Sequence, residues 1–280
     1  MMRPITAQDI IVHKAAVPWP TEIQVEQDLL LCHCMHAIFS DKFLSEHVAM
    51  RGGTVLHKVH LAPAARYSED IDLVLITDRP ENHISNALRR VLEPVLGEPR
   101  ASIVEWGRLA VRNVVKPSKI LRTTYSVPPV TQSRHPIQIV VETNVEERRS
   151  HLLPTGHRFV FTYGREEYAC AVQSFDIHEM LGTKMRALFQ RVRGRDLFDL
   201  YYAITQDPAI EPVKIIESFL YYMKAEGTRA SKDEFIELLH RRAENPGFRS
   251  DMQALLRTGV AYDVDAAARL VTDRILQLLP

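Results

Sequence analysis

The sequence predicts an α+β chain in two parts, a mixed-sheet α/β domain over residues 1–173 and a helical domain over residues 174–280. Three observations carry that expectation. A short run, Asp70-Ile71-Asp72-Leu73-Val74-Leu75-Ile76-Thr77, has the apolar, β-branched body and the length of a buried strand. A helix-spaced segment follows it, and several further strand-like runs come after that. From Phe175 onward the apolar spacing is helical almost throughout, interrupted by Gly, Pro, Asp and Asn signals.

In chain order, Pro18-Trp19-Pro20 breaks the chain and Thr21 is placed to cap a helix from Glu22 to Val48, with Leu29, Leu30, Leu31, Met35, Ile38, Phe39 and Phe43 at helical spacing. Gly52-Gly53 ends it. A short helical stretch over Thr54 to His60 precedes Ala62-Pro63-Ala64-Ala65, a poor segment for regular structure. The strand opening at Asp70 is bounded by Asp78 and Pro80. Ile84, Ala87, Leu88, Val91, Leu92, Val95 and Leu96 then share one face of a helix from Glu81, with Gly97 as its stop. Strand-like runs lie at Ser102 to Trp106, Lys119 to Val127, Ile137 to Thr143, Arg158 to Tyr163 and Tyr168 to Val172. Helices are expected over Ile177 to Arg193, Leu197 to Ile204, Val213 to Ala225, Lys232 to Ala243, Met252 to Leu256 and Ala266 to Leu279, which sets the domain boundary near Ser174.

Composition bounds the function. The 280 residues carry 35 Lys+Arg against 35 Asp+Glu, which excludes a globally basic nucleic-acid coat and an acidic tail protein but leaves local patches open. With 46% hydrophobic residues and only 11 glycines, collagen-like, low-complexity and disordered classes are excluded as well. Cys32, Cys34 and Cys170 are too few for a disulfide framework and suit a reducing compartment. Apolar stretches such as Leu29 to Cys32 and Val74 to Ile76 fall far short of the ~20 residues of a spanning helix, and the N-terminus lacks the apolar core of a signal peptide. A cytoplasmic protein with no membrane partner is expected.

Four groups carry chemistry. Gly52-Gly53-Thr54 is an adjacent glycine pair that allows backbone N–H groups to approach a phosphate, with a hydroxyl beside it; a helix cap with a tight turn is the alternative. No Gly-Lys-Ser/Thr follows, so it is not a Walker loop. In Arg66-Tyr67-Ser68-Glu69-Asp70-Ile71-Asp72, strand alternation puts Asp70 and Asp72 on one face about 7 Å apart. Paired carboxylates suit a magnesium ion that also takes phosphate oxygens. The apolar strand behind them argues against a solvated acidic edge. Glu142, ending the run from Ile137, is the candidate third ligand, with Glu105 as its competitor.

The fourth group runs from Glu179 to Leu200. On a helix continuing past Gly194, Lys184, Arg191 and Arg195 fall within about 40° of one another, a stripe suited to a triphosphate, or a solvated face paired with Asp196 and Asp199. By contrast, Cys32-His33-Cys34-x-His36 makes no zinc motif, because on a helix Cys32 and His36 share a face from which His33 and Cys34 diverge. His57, His60 and His135 have no partner spacing that makes a metal site or triad.

Taken together, Gly-Gly-Thr, then Arg-x-Ser-x-Asp-x-Asp opening an apolar strand, then Lys-x-x-Ala-Leu-x-x-Arg-x-x-x-Arg-Asp-x-x-Asp-Leu resembles the AbiEii nucleotidyltransferase family, the type IV toxins that include the MenT enzymes. The resemblance runs from about Glu26 to Tyr202. It implies a polymerase-β-like nucleotidyltransferase domain with a mixed central sheet, followed by a helical bundle. It also implies that Gly52, Gly53 and Thr54 form the nucleotide-phosphate loop, with Arg66, Ser68, Arg191 and Arg195 on the substrate. Asp70 and Asp72, joined by Glu142, would hold two Mg²⁺ ions. Lys184 matches the family's essential lysine, expected to grip the triphosphate, and Asp196 its late essential aspartate. Ser68 matches a serine phosphorylated by partner proteins in some MenT systems. Where related sequences often carry Lys-Val-Glu or Lys-Ile-Glu, this chain has Val140-Val141-Glu142, so a lysine is missing.

The implied reaction is attack of an acceptor hydroxyl on the α-phosphorus of an NTP with loss of pyrophosphate. The acceptor would be a tRNA 3′ end, met by a basic surface from Arg108, Arg112, Lys116, Lys119 and Arg122 and the Lys184 to Arg195 stripe, and a cognate antitoxin is implied. Transfer to a protein or small molecule, a metal-dependent glycosyltransferase using the Asp-x-Asp pair, and a non-catalytic binding protein are the alternatives.

Overall fold

Residue chemistry at the element ends explains much of the architecture. In the computed structural model, residues 5–96, 110–115, 120–131 and 135–280 are described. Helix α1 (Ala7–Ala16) and helix α2 (Glu22–Ser40) each open on a threonine, Thr6 and Thr21, whose hydroxyl accepts from the third backbone N–H while Asp9 or Gln24 reaches back. The long helix expected to run to Val48 stops earlier. Asp41 accepts from the Leu44 N–H and starts a separate helix, α3 (Lys42–His47). Val48, Ala49 and Met50 are fully buried and belong to a strand, β1 (Val48–Arg51), absent from the sequence reading because its apolar residues fit the preceding helical spacing. A short helix α4 (Gly52–Val55) and a π-helical turn (Leu56–His60) follow.

Strand β2 (Asp70–Leu75), helix α5 (Glu81–Leu96) and strands β3 (Ala110–Val115), β4 (Ile120–Val127), β5 (Ile137–Asn144), β6 (Thr155–Tyr163) and β7 (Glu166–Ser174) complete the first compact unit, residues Met1–Arg149 with Pro154–Ser174. The seven strands form one mixed sheet in the order β3-β4-β5-β2-β1-β7-β6. β2 runs parallel to β5, and β1 parallel to β7; the other neighbours are antiparallel. Centrality explains composition: Ile71, Leu73, Val74 and Leu75 of β2 are at most 1% exposed. The strand-like run Ser102 to Trp106, Glu105 within it, and the bases Arg108, Lys116 and Lys119 lie outside the described residues.

The second unit comprises Ser150–Leu153 and Phe175–Pro280. Its helices are α6 (Ile177–Gln190), α7 (Gly194–Gln206), α8 (Pro212–Ala225), α9 (Lys232–Ala243), α10 (Pro246–Ser250) and α11 (Val264–Arg274). Residues 252–255, expected as helix, form turns. Buried Glu179 on α6 accepts the backbone N–H groups of His151 and Leu152 and the hydroxyl of Tyr222, tying that short segment into the helical unit.

The break expected between Arg193 and Leu197 falls between Gln190 and Gly194, so Lys184, Arg191 and Arg195 do not share one continuous helix. Arg191 turns extended (φ −133°), and α7 restarts at Gly194, where a Cβ would lie 2.2 Å from the carbonyl oxygen of Phe248. A side chain at that position would separate α7 from α10.

Candidate active site

The geometry of the acidic face follows from strand alternation and register. Ile71 and Leu73 of β2 point into the core, so Asp70 and Asp72 point to the opposite, half-buried face. β5 has the same phase, with Ile139 and Val141 buried and Glu142 on the face of the acids. In the parallel pairing Asp72 stands opposite Glu142, and in the antiparallel pairings Asp72 stands opposite Arg51 and Glu142 opposite Arg122. One register row therefore reads Arg122, Glu142, Asp72, Arg51 across four strands, with Asp70 two residues from Asp72.

Adjacent like charges on a sheet repel, and the site shows it. Burial, reinforced by the neighbouring Asp72, Glu69 and Glu142 carboxylates, pushes the Asp70 carboxyl up to about 6, against the opposing pull of Arg122. Arg122 Nε lies 2.7 Å from Glu142 Oε1, and Arg51 Nη1 lies 2.7 Å from Glu147 Oε2. Arg122 thus supplies from β4 a cation to Glu142 on β5. These hard oxygen donors on one face, Asp70 among them held back from ionising first by burial and then by its acidic neighbours, could hold a divalent magnesium-type ion that takes one or two carboxylates and completes its shell with phosphate oxygens and water.

The glycine pair lies against these acids. Gly52 has φ +87°, and a Cβ there would come within 2.1 Å of Asp72 Oδ2, so glycine is required both by the backbone and by the approach to the carboxylate. Gly53 is buried over the Arg66 guanidinium, 2.5 Å from where its Cβ would stand. Arg66 is itself 2% exposed, with Nη1 donating to the carbonyl of Tyr67 at 3.0 Å. Thr54 is fully buried; its hydroxyl lies 2.5 Å from the carbonyl oxygen of Asp70 and 2.9 Å from Ser68 Oγ. Thr54 and Arg66 therefore fasten the loop to the start of β2. Ser68 sits between them, half-buried.

In the helical unit, Lys184, Asp196 and Asp199 are brought together. Lys184 Nζ lies 2.8 Å from Asp199 Oδ2 and 3.7 Å from Asp196 Oδ1, and both aspartates are fully buried. Arg191 grips Asp196 with two bonds, Nε at 2.7 Å and Nη2 at 2.9 Å. Arg195 instead pairs with Asp251 through its backbone N–H, Nε and Nη2 at 3.0–3.1 Å. The expected continuous stripe of three cations on one helix face is not present. It is replaced by two ion-pair clusters, one joining Lys184 and Arg191 to Asp196 and Asp199 across the break and one joining Arg195 to Asp251. Asp251 and Arg51 had no signal in the sequence.

The fold described here is shared with a nucleotidyltransferase toxin. MenT4, a nucleotidyltransferase toxin from Mycobacterium tuberculosis H37Rv, superposes with a TM-score of 0.61 at 16% identity, covering 98% of this chain and 89% of that one. Residues 33–270 match the family model of the nucleotidyl transferase AbiEii toxin of type IV toxin–antitoxin systems, and the chain belongs to that family. Curated protein sequences offer no significant match. No described helix is long and apolar enough to cross a membrane.

Proposed function

We propose that this nucleotidyltransferase transfers a nucleoside monophosphate from an NTP to the 3′ end of tRNA in the cytoplasm, and that a cognate antitoxin restrains it. The observation that carries the reading is the placement of Gly52 against Asp72, which sets a glycine turn directly beside a pair of carboxylates on a buried strand. Asp70 and Asp72 would hold Mg²⁺, with Glu142 as the third carboxylate. When bound, the metal supplies Lewis-acid stabilisation of the charge on the reacting phosphate and the leaving pyrophosphate.

The chain's own residues do the rest. The Gly52-Gly53 backbone approaches the nucleotide phosphates, and Thr54 and Arg66 keep that loop at a fixed height above β2. Arg122 holds Glu142 and lowers the repulsion felt by Asp70. We assign Lys184 the contact to substrate phosphate that the family resemblance implies. Asp196 and Asp199 position its ammonium, and Arg191, more than half exposed, remains reachable by an anion. RNA binding through such local cations should weaken steeply with salt.

Incubation of the purified chain with total tRNA, Mg²⁺ and each labelled NTP in turn tests the proposal. Transfer of label with at least one NTP, lost on Asp72→Asn, is expected. Absence of transfer with all four overturns the tRNA acceptor, and transfer from a nucleotide-sugar in their place supports the glycosyltransferase alternative.

A further inference from the structure

A second cluster of ligand-type side chains lies in the first unit, built from residues that play no part in the proposed reaction. Asp28 and Cys32 are one turn apart on α2 and share a face, and His13 reaches them from α1. His13 Nε2 is 2.8 Å from Asp28 Oδ2, and Cys32 Sγ is 3.9 Å from the same oxygen. All three ligand atoms fall within 4.8 Å of one another, and all three residues are at most 7% exposed. Among the described residues this is the one group of three His, Cys, Asp or Glu side chains converging so closely. It is not the Cys32-His33-Cys34-His36 set considered from the sequence. His33 instead packs edge-on against Phe161 and Tyr163, so only Cys32 of that set takes part.

The cluster forms part of the wall of a pocket of about 280 Å³, whose apolar lining includes Val12, Ala16, Val17, Pro63, Phe159 and Phe161. Lys58, from the π-helical turn four residues after Thr54, also reaches in, with Nζ 2.5 Å from Asp28 Oδ1 and 3.5 Å from Cys32 Sγ. Its ammonium occupies the position of a cation on the outer oxygen of Asp28.

We propose that His13, Asp28 and Cys32 form a binding site for a zinc-type transition-metal ion, separate from the magnesium-type acids. The donor set is the mixed nitrogen, oxygen and sulfur set that zinc favours over magnesium. With bond lengths of about 2.0–2.3 Å, a tetrahedral zinc ion places its ligands about 3.2–3.6 Å apart. The ion therefore enters between His13 Nε2 and Asp28 Oδ2 with an opening of a few tenths of an ångström. Cys32 loses its thiol proton to solvent as the Zn–S bond forms. Lys58 stays on the outer Asp28 oxygen, where its charge opposes that of the incoming ion, and the pocket leaves the fourth position open to water or a small ligand. Occupation clamps α1 onto α2 beside the turn that leaves the glycine loop.

Cobalt(II), the spectroscopic substitute for zinc, provides the test on the full-length chain in excess Mg²⁺. One equivalent should produce a thiolate-to-cobalt charge-transfer band and the visible bands of tetrahedral cobalt, both erased by added Zn²⁺. The signal should persist in Asp70→Asn/Asp72→Asn, and Zn²⁺ affinity should fall by at least about tenfold in Cys32→Ser and His13→Ala. A wild-type chain without the charge-transfer band, or one whose band survives Cys32→Ser, overturns the proposal. Should the ligand variants fail to fold, Lys58→Met decides: removing the competing ammonium must tighten Zn²⁺ binding, and unchanged or weaker binding overturns the site.

Discussion

Replacing Gly52 by alanine separates a backbone cost from a catalytic one. At φ +87° an L-residue pays about 1–2 kcal/mol, and the new Cβ, 2.1 Å from Asp72 Oδ2, forces that carboxylate off its rotamer for about another 1 kcal/mol. At roughly 2–4 °C per kcal/mol for a domain of this size, the melting temperature should fall by about 4–12 °C. Gly259→Ala is the control, because Gly259 has φ +89° with nothing within 4 Å of its Cβ position, so it should show the backbone cost alone. Activity divides them more sharply. Displacing a metal-site carboxylate by an ångström costs on the order of 10²-fold in rate, so Gly52→Ala should lose NTP-dependent transfer while Gly259→Ala keeps it. Full activity in a folded Gly52→Ala protein would refute the placement of the nucleotide phosphates and metal at this turn.

Asp70→Asn should stabilise the metal-free chain while abolishing transfer. Because the folded carboxyl is raised to about 6 from 3.8, Asp70 contributes its full stability only below the unfolded value and loses it as pH rises through 6. Discounted for partial exposure, the gain in the variant should be about 2 kcal/mol at pH 8 and vanish towards pH 4, as urea melts at the two pH values will show. The same shift predicts that Mg²⁺ affinity falls below pH 6 as Asp70 takes up a proton. Arg122→Ala should move that acid limb to higher pH, since Arg122 is the group opposing the rise; an unmoved limb in the pH–rate profile would remove Arg122 from the site. Lys184→Met should cost about 3–5 kcal/mol by stranding buried Asp199, and adding Asp199→Asn should recover much of that stability but no activity.

Residues whose neighbours are near in sequence were legible, and those paired across the fold were not. Asp70 and Asp72 could be read from the period of two in a strand whose apolar body announced burial. Glu142 was visible as the end of a β-rich run, but its position opposite Asp72 depends on the parallel β2–β5 pairing, which no local pattern encodes. β1 was hidden because Val48, Ala49 and Met50 continue the helical spacing of α2 and α3. Arg66 looks like a phosphate ligand in sequence, yet it is buried beneath Gly53. The meeting of His13, Asp28, Cys32 and Lys58 joins α1, α2 and the π-helical turn, three elements whose individual spacings carry no metal signature.

The central claim is that Asp70 and Asp72, beside the Gly52 turn, support nucleotidyl transfer. The most direct measurement compares tRNA labelling from NTP labelled at the α-phosphate with labelling from NTP labelled at the γ-phosphate, with and without Mg²⁺, in the wild type and in Asp72→Asn. Label from the α position alone, dependent on Mg²⁺ and lost in a folded Asp72→Asn protein, is the predicted result. Label arriving from the γ position, or α-label transfer undiminished in Asp72→Asn, would contradict it.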